Sequence, residues 1–182
     1  MIETSHIDFK SQFYPKVMAL GRKYASSLGF MPEGGFEDHV RKQCVIVAHE
    51  GDSLCGYVMY REVPRHSRIS IVHLCVDDAF RGQKVSKLLL DSLRQEYETS
   101  YSFNGISLNC RDDYEYATKI WQRYGFTPRN KIRSRSQEEH YLTFWWYSFN
   151  KPDLFSQIVA DSTKIKALLD ANIIMKLRDA GD

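Results

Sequence analysis

Ile71-Val-His-Leu-Cys-Val-Asp-Asp-Ala-Phe-Arg-Gly-Gln-Lys-Val-Ser-Lys-Leu-Leu-Leu90 passes from an apolar β-rich run into a short basic loop and then a leucine-bearing helix. The first backbone amides of such a helix have no acceptor within it, and the helix dipole adds positive potential there. With Arg81 and Lys84 alongside, the turn suits a phosphate or diphosphate. On spacing alone, an ordinary βα turn carrying two solvated cations fits equally well, because one glycine is a weaker anion-loop signal than a glycine-rich fingerprint.

Upstream, Phe13, Val17, Leu20, Tyr24 and Leu28 recur at helical spacing and predict one helix, with Gly29 placed to stop it. After a Gly-containing joint from Pro32 to Gly35, a short polar helix is expected near Phe36 to Lys42. Cys44 to Ala48 and Leu54 to Tyr60 flank Glu50-Gly-Asp-Ser53, the pattern of a hairpin. Pro64 ends its second strand, and Arg68 to Val76 forms a third. Downstream come a helix with Val85, Leu88, Leu89, Leu93 and Tyr97 on its apolar face, a strand from Ile106 to Cys110, and a helix carrying Tyr116, Ile120, Trp121 and Tyr124. Gly125 caps that last helix. Two β segments, Phe126 to Arg135 and His140 to Phe149, close the series across a polar turn at Ser136 to Glu139. The order αα, then βββαβαββ, is α/β (α+β) with a mixed sheet.

The chain has 182 residues, 43% hydrophobic and 26% charged, with a formal net charge of +2. That is globular composition, which excludes disordered and fibrous classes. The four cysteines, Cys44, Cys55, Cys75 and Cys110, form no CxxC pair and sit in apolar runs. They read as reduced thiols of a cytoplasmic protein rather than a zinc site or a disulfide frame. No signal peptide or membrane-length apolar run is expected. Residues 1–150 are read as one domain and 151–182 as an appendage, because roughly thirty residues cannot build a core of their own.

Arg81-Gly-Gln-Lys-Val-Ser86 between a strand and a helix resembles the pyrophosphate loop of the GNAT N-acetyltransferases, Arg/Gln-x-x-Gly-x-Gly/Ala. Ala117-Thr-Lys-Ile-Trp-Gln-Arg-Tyr-Gly-Phe126 is similar to their second signature, Ala-x-x-x-(Tyr)-x-x-x-Gly-Phe. The resemblance spans about residues 3 to 149. It implies a splayed mixed sheet flanked by helices, in the order roughly β-αα-βββ-α-β-α-ββ. It further implies acetyl-CoA as co-substrate without a metal, and transfer to a primary amine of a small molecule or peptide by direct attack. Arg81, Gly82, Gln83, Lys84, Val85 and Ser86 would hold the diphosphate. Leu74, Cys75 and Val76 would pair with pantetheine, a backbone N–H near Val76 polarising the thioester carbonyl, and Trp121 would pack against the cofactor. Lys84 replaces the first family Gly and Ser86 the last. A side chain at Lys84 is awkward if that residue needs positive φ, and Ser86 is small enough to lie near the ligand while capping the helix. The alternative is a non-catalytic acyl-CoA-binding or regulatory module once fused to a PIN-type nuclease.

For the acid, relatives carry a Tyr where this chain has Trp121, whose indole N–H can donate a hydrogen bond but not a proton. Tyr124 and Tyr116 are the substitutes nearest in sequence. For the base, relatives place a Glu on the strand before the loop, but Val72 and Ser70 occupy that parity here. His73 points to the opposite face and serves only if a bulge re-aims it. Cys75 and Cys110 are expected in the core, with Asn109 and Arg111 at a strand end beside pantetheine or acceptor. Arg129, Lys131, Arg133 and Arg135 alternate on one strand face. They form either a solvated edge or a contact for an acidic acceptor, the coenzyme A 3′-phosphate or an RNA backbone. Tyr141 to Tyr147 is aromatic on both parities, which points to core packing on one face and a homodimer or tail contact on the other. Ala167 to Ile174 is similar to the opening strand of a PIN nuclease, which would make Asp170 the first metal ligand there. The remaining acidic residues of that family are missing, which excludes a complete nuclease and leaves a remnant or a docking segment.

Overall fold

A computed structural model describes residues 1–133 and 141–149. Arg135, the polar turn expected at 136–139 and the tail with Asp170 lie outside the described residues.

Within the unit Met1–Phe149, the elements are β1 (Glu3–His6), α1 (Phe13–Lys23), α2 (Ala25–Leu28), α3 (Glu33–Arg41), β2 (Val45–Glu50), β3 (Ser53–Val63), β4 (Arg68–Val76), α4 (Val85–Glu98), β5 (Gly105–Arg111), α5 (Glu115–Arg123), β6 (Thr127–Arg133) and β7 (Tyr141–Ser148). One seven-stranded sheet runs β1-β2-β3-β4-β5-β7-β6. All its pairings are antiparallel except β4–β5. This is the mixed α/β sheet expected from the order of elements.

Helices cover both faces. Phe13, Val17 and Leu20 of α1 and Phe36 and Val40 of α3 bury against Val45, Val47, Tyr57 and Met59. On the other face Val85, Leu89, Leu90, Leu93 and Tyr97 of α4 pack with Ile46, Val58, Tyr60, Ile69 and Ile106. Leu90 takes the place expected of Leu88, which lies half-buried on the flank of the helix.

The single helix expected from Phe13 to Leu28 is two helices. Tyr24, at φ −109° and ψ 22°, leaves the helical region and lets α2 turn away. The apolar spacing runs across the break, which therefore left no trace in the periodicity. Gly29 ends α2 at φ +91°, as its position suggested.

Two irregularities in β4 shape the sheet. Met59 pairs with His73 but Tyr60 pairs with Ile71, so Val72 is an inserted residue. Beyond the bulge the side-chain parity inverts. Ile69 and Ile71 face α4, whereas Cys75 faces α1 and α3. In addition, β4 pairs with β5 only at Arg68–Gly105, Ile69–Ile106 and Ser70–Ser107. From Ile71 onward the two strands part, and the sheet opens into a V.

Candidate active site

The V exposes backbone as well as side chains. Asp77 N–H donates to Cys55 O at 2.9 Å, and antiparallel pairs alternate between bonded and non-bonded. Gly56–Val76 and Val58–Leu74 are therefore the non-bonded pairs. The N–H and C=O of Leu74 and Val76 point away from β3, into the gap that β5 has vacated.

At the open end of β4, Asp77 accepts from Ala79 N–H at 3.0 Å and folds residues 78–80 into a single 3₁₀ turn. The chain then alternates. Arg81 is extended at φ −63° and ψ 146°, Gly82 has φ +80°, and Lys84 is left-handed at φ +62° and ψ 19°. Such a turn at the start of a fourteen-residue helix collects backbone N–H groups into an anion-binding concavity. Lys84 thus holds the conformation that the glycine of the loop pattern would adopt without strain, at about 1–2 kcal/mol for a residue with a Cβ.

The cations around the loop are organised by its acids. Arg81 pairs with Asp78 at 2.7 Å and lies over the Tyr24 ring. Lys23 pairs with Asp77 at 3.3 Å and Asp78 at 3.4 Å, tying the end of α1 to the loop. The Ser86 hydroxyl does not cap α4, contrary to expectation. It sits inside the first turn and bonds Tyr124 Oη at 2.7 Å, while α4 has no side-chain cap.

Two cavities share the V. The first, about 320 Å³, runs from the loop along the β4 end and includes Leu74, Val76, Arg81, Lys84 and Ser86. The second, about 460 Å³, lies between β4 and β5 and includes Val72, Asn109, Cys110, Arg111 and Tyr114. Both volumes fall in the range of ordinary ligand sites. Leu74, Ala117 and Trp121 line both, as do Ser27 and Leu28 of α2. The contribution of α2 was not foreseen, since it follows from the break at Tyr24. Tyr114 Oη donates to Ser26 O at 3.1 Å and holds α2 against the start of α5.

The residues expected at the site separate into groups. Leu74, Cys75, Val76, Arg81, Gly82, Lys84, Val85, Ser86, Trp121 and Tyr116 line the first cavity, Tyr116 as a side chain that is 79% exposed. Gln83 sits in the loop, its side-chain amide donating to Ala79 O. Tyr124 stands one hydrogen bond behind Ser86 and lines neither cavity. His73 lines neither as well. It is buried on the α1/α3 face beside the Phe36 ring and bonded to Tyr57 Oη at 3.0 Å. Burial, aided by His39, lowers its pKa to about 4, so it is neutral at pH 7. The bulge is present, but it keeps His73 on that face.

Burial and the nearby Asp77 push the Cys75 thiol up to about 12, and burial likewise raises Cys110, opposed by the adjacent Trp121 indole. Neither is set up as a thiolate nucleophile. The basic stripe is interrupted: the register shifts between Pro128 and Asn130, leaving Arg129 out of the ladder, and Lys131 pairs with Asp112 at 2.6 Å. Among the described residues no group of three or more His, Cys, Asp or Glu could hold a metal, and no helix is long and apolar enough to cross a membrane.

Comparison with known proteins agrees with this geometry. The acetyltransferase (GNAT) domain matches residues 33–148. Spermine/spermidine N(1)-acetyltransferase of Bacillus subtilis (strain 168) is 28% identical over 109 residues, covering 57% of this chain and 70% of that protein. Among solved structures, Arabidopsis thaliana NAA60 in complex with a bisubstrate analogue superposes with a TM-score of 0.73 at 13% identity, over 84% of this chain and all of that one. The ribosomal-protein-S18-alanine N-acetyltransferase of Escherichia coli gives 0.71 at 13% identity, over 85% of this chain and 97% of that one. At such identities the structures share a fold.

Proposed function

The chain belongs to the GNAT acetyltransferase family, and from that premise we propose that it transfers an acetyl group from acetyl-CoA to a primary amine by direct attack. One observation carries the reading: the cavity at the Gly82–Lys84 turn and the cavity in the gap between β4 and β5 are neighbours that share Ser27, Leu28, Leu74, Ala117 and Trp121. The residues present fit the co-substrate, because the turn offers amides to a diphosphate and the free edge of Leu74 and Val76 offers a ladder to the pantetheine amides.

In this reading acetyl-CoA, when bound, supplies the activated acetyl thioester. The Gly82, Lys84, Val85 and Ser86 N–H groups would hold its diphosphate, the Gln83 N–H being donated to Phe80 O at 3.3 Å, and Lys84 would add charge. Pantetheine lies along Leu74 to Val76. The Val76 N–H, turned into the gap, donates to the thioester carbonyl oxygen, where negative charge grows during attack. The second cavity receives the amine from the far side of the V. The raised thiols of Cys75 and Cys110 argue against an acyl-cysteine route.

A second reading is a non-catalytic acyl-CoA-binding module. It is favoured by the lining of the two cavities, whose described residues include no Asp, Glu or His to take the amine's proton. Calorimetry with acetyl-CoA, followed by free-thiol release over polyamines, amino acids, aminoglycosides and peptides, separates the two. Binding with turnover supports the transferase; binding without turnover across the panel supports the module.

A further inference from the structure

The second cavity is walled by aliphatic side chains. Leu28 of α2, Val72 and Leu74 of β4, Leu108 of β5 and Leu142 of β7 reach it from four elements, and Ser27 and Asn109 supply uncharged polar groups. The charge around it has one sign. Arg111 is the ionised side chain of its described lining, and Arg81 and Lys84 stand in the first cavity.

The carboxylates nearest in sequence are already engaged. Asp112 and Asp113 follow β5 directly. Asp112 accepts from Lys131 Nζ at 2.6 Å, and Asp113 accepts from Arg111 Nε at 2.9 Å and Nη2 at 2.5 Å. Neither lines a cavity. An ammonium brought between these walls loses water and meets cations, so its charged form is disfavoured. An apolar substituent gains there, by about fourfold in affinity for each buried methylene.

We propose that the acceptor is a monoamine with an apolar substituent, taken into the second cavity as the uncharged base, and that polyamines are disfavoured. The inference rests on the transferase reading and names the class of amine it uses. It also accounts for cavities whose described lining includes no carboxylate or imidazole to take a proton, because the ammonium sheds that proton to water on entry. The nitrogen lone pair then forms the N–C bond, and the C–S bond breaks with its electron pair left on sulfur. The surplus N–H proton passes to water, and the sulfur recovers a proton from water.

The full chain, saturated with acetyl-CoA, is assayed by free-thiol release against n-alkylamines from propylamine to hexylamine and against spermidine. In the wild type, kcat/KM is expected to rise about threefold to fourfold per methylene, and hexylamine to exceed spermidine by about tenfold or more. Leu142 lines the second cavity and not the first. Leu142→Ala should flatten the series. Leu142→Glu, which sets a carboxylate on the apolar wall, should lower hexylamine and raise spermidine, with acetyl-CoA calorimetry checking that each variant is folded. In a pH series, kcat/KM should level off at a lower pH for β,β-difluorophenethylamine than for the more basic phenethylamine, because the limb belongs to the amine. A flat wild-type series, spermidine matching hexylamine, or one pH limb common to both phenethylamines overturns the inference and leaves the transferase reading standing. Acetyl-CoA bound without turnover on any amine, or not bound at all, removes the transferase reading and this inference with it.

Discussion

Gly56 and Val76 face each other across β3 and β4 so closely that a Cβ on Gly56 would stand 2.5 Å from the Cys75 carbonyl oxygen and 3.1 Å from Val76 Cα. The atoms it would meet are backbone, and they belong to the strand end that turns its free N–H and C=O into the V. Gly56→Ala must therefore displace the edge on which pantetheine is proposed to lie. Overpacking of this kind costs about 1–3 kcal/mol. The expected result is a Tm lower by about 2–10 °C together with weaker acetyl-CoA binding, read by scanning calorimetry and titration.

Lys84 sits at φ +62°, where glycine is unstrained. Lys84→Gly removes the Cβ penalty but adds freedom to the unfolded chain, so a net gain of up to about 1 kcal/mol is expected. Acetyl-CoA affinity should fall several-fold, and its salt dependence should flatten, if the ammonium helps hold the phosphates. Lys84→Asn, which tolerates the left-handed region without the charge, should behave alike in affinity.

His73 links stability to acid. Its folded-state pKa of about 4 lies below the ordinary value of 6.5, owing to burial and then to His39. The unfolded chain therefore takes up the proton first, and stability falls as pH drops from 6.5 toward 4, by at most about 3 kcal/mol. His73→Gln should flatten that acid limb in a Tm-versus-pH series. Because His73 lines neither cavity, the same variant should leave kcat within about threefold and the pH–rate profile unmoved.

His6 has the opposite sign. Its hydrogen bond to Glu96 at 2.9 Å raises its pKa against partial burial. The resulting stability is complete below pH 6.5 and disappears as pH rises through the folded-state pKa. The pair is about one-third exposed, which limits the effect to less than about 1 kcal/mol. His6→Asn should lower Tm at pH 6 and leave it nearly unchanged at pH 9.

Much of this architecture was legible in the residues because it follows from local rules. Gly51 in the β2–β3 turn, Pro64 after β3, Gly29 after α2 and Gly125 after α5 each mark a boundary that backbone sterics enforce. The strand–loop–helix from Arg68 to Glu98 is equally plain in the residues, as is the conflict at Lys84 between a side chain and the positive φ found there. Other features depend on contacts between distant elements. The Val72 bulge comes from register with Met59 and Tyr60. The break at Tyr24 goes with the ties from Lys23 to Asp77 and Asp78, some fifty residues on. Ser86 was expected to cap its helix, but it found Tyr124 across the fold. Alternation predicted a continuous cationic face on β6; the irregular pairing at Arg129 and the Asp112 carboxylate beside Lys131 interrupt it.

The central claim is that main-chain hydrogens of the β4–α4 turn grip a diphosphate, and a crystal structure with coenzyme A bound tests it most directly. The account predicts diphosphate oxygens about 3 Å from amide nitrogens between Gly82 and Ser86, with pantetheine in the gap beside Leu74 and Val76. A diphosphate seated elsewhere, or a turn filled by the Lys84 side chain with coenzyme A excluded, would contradict it.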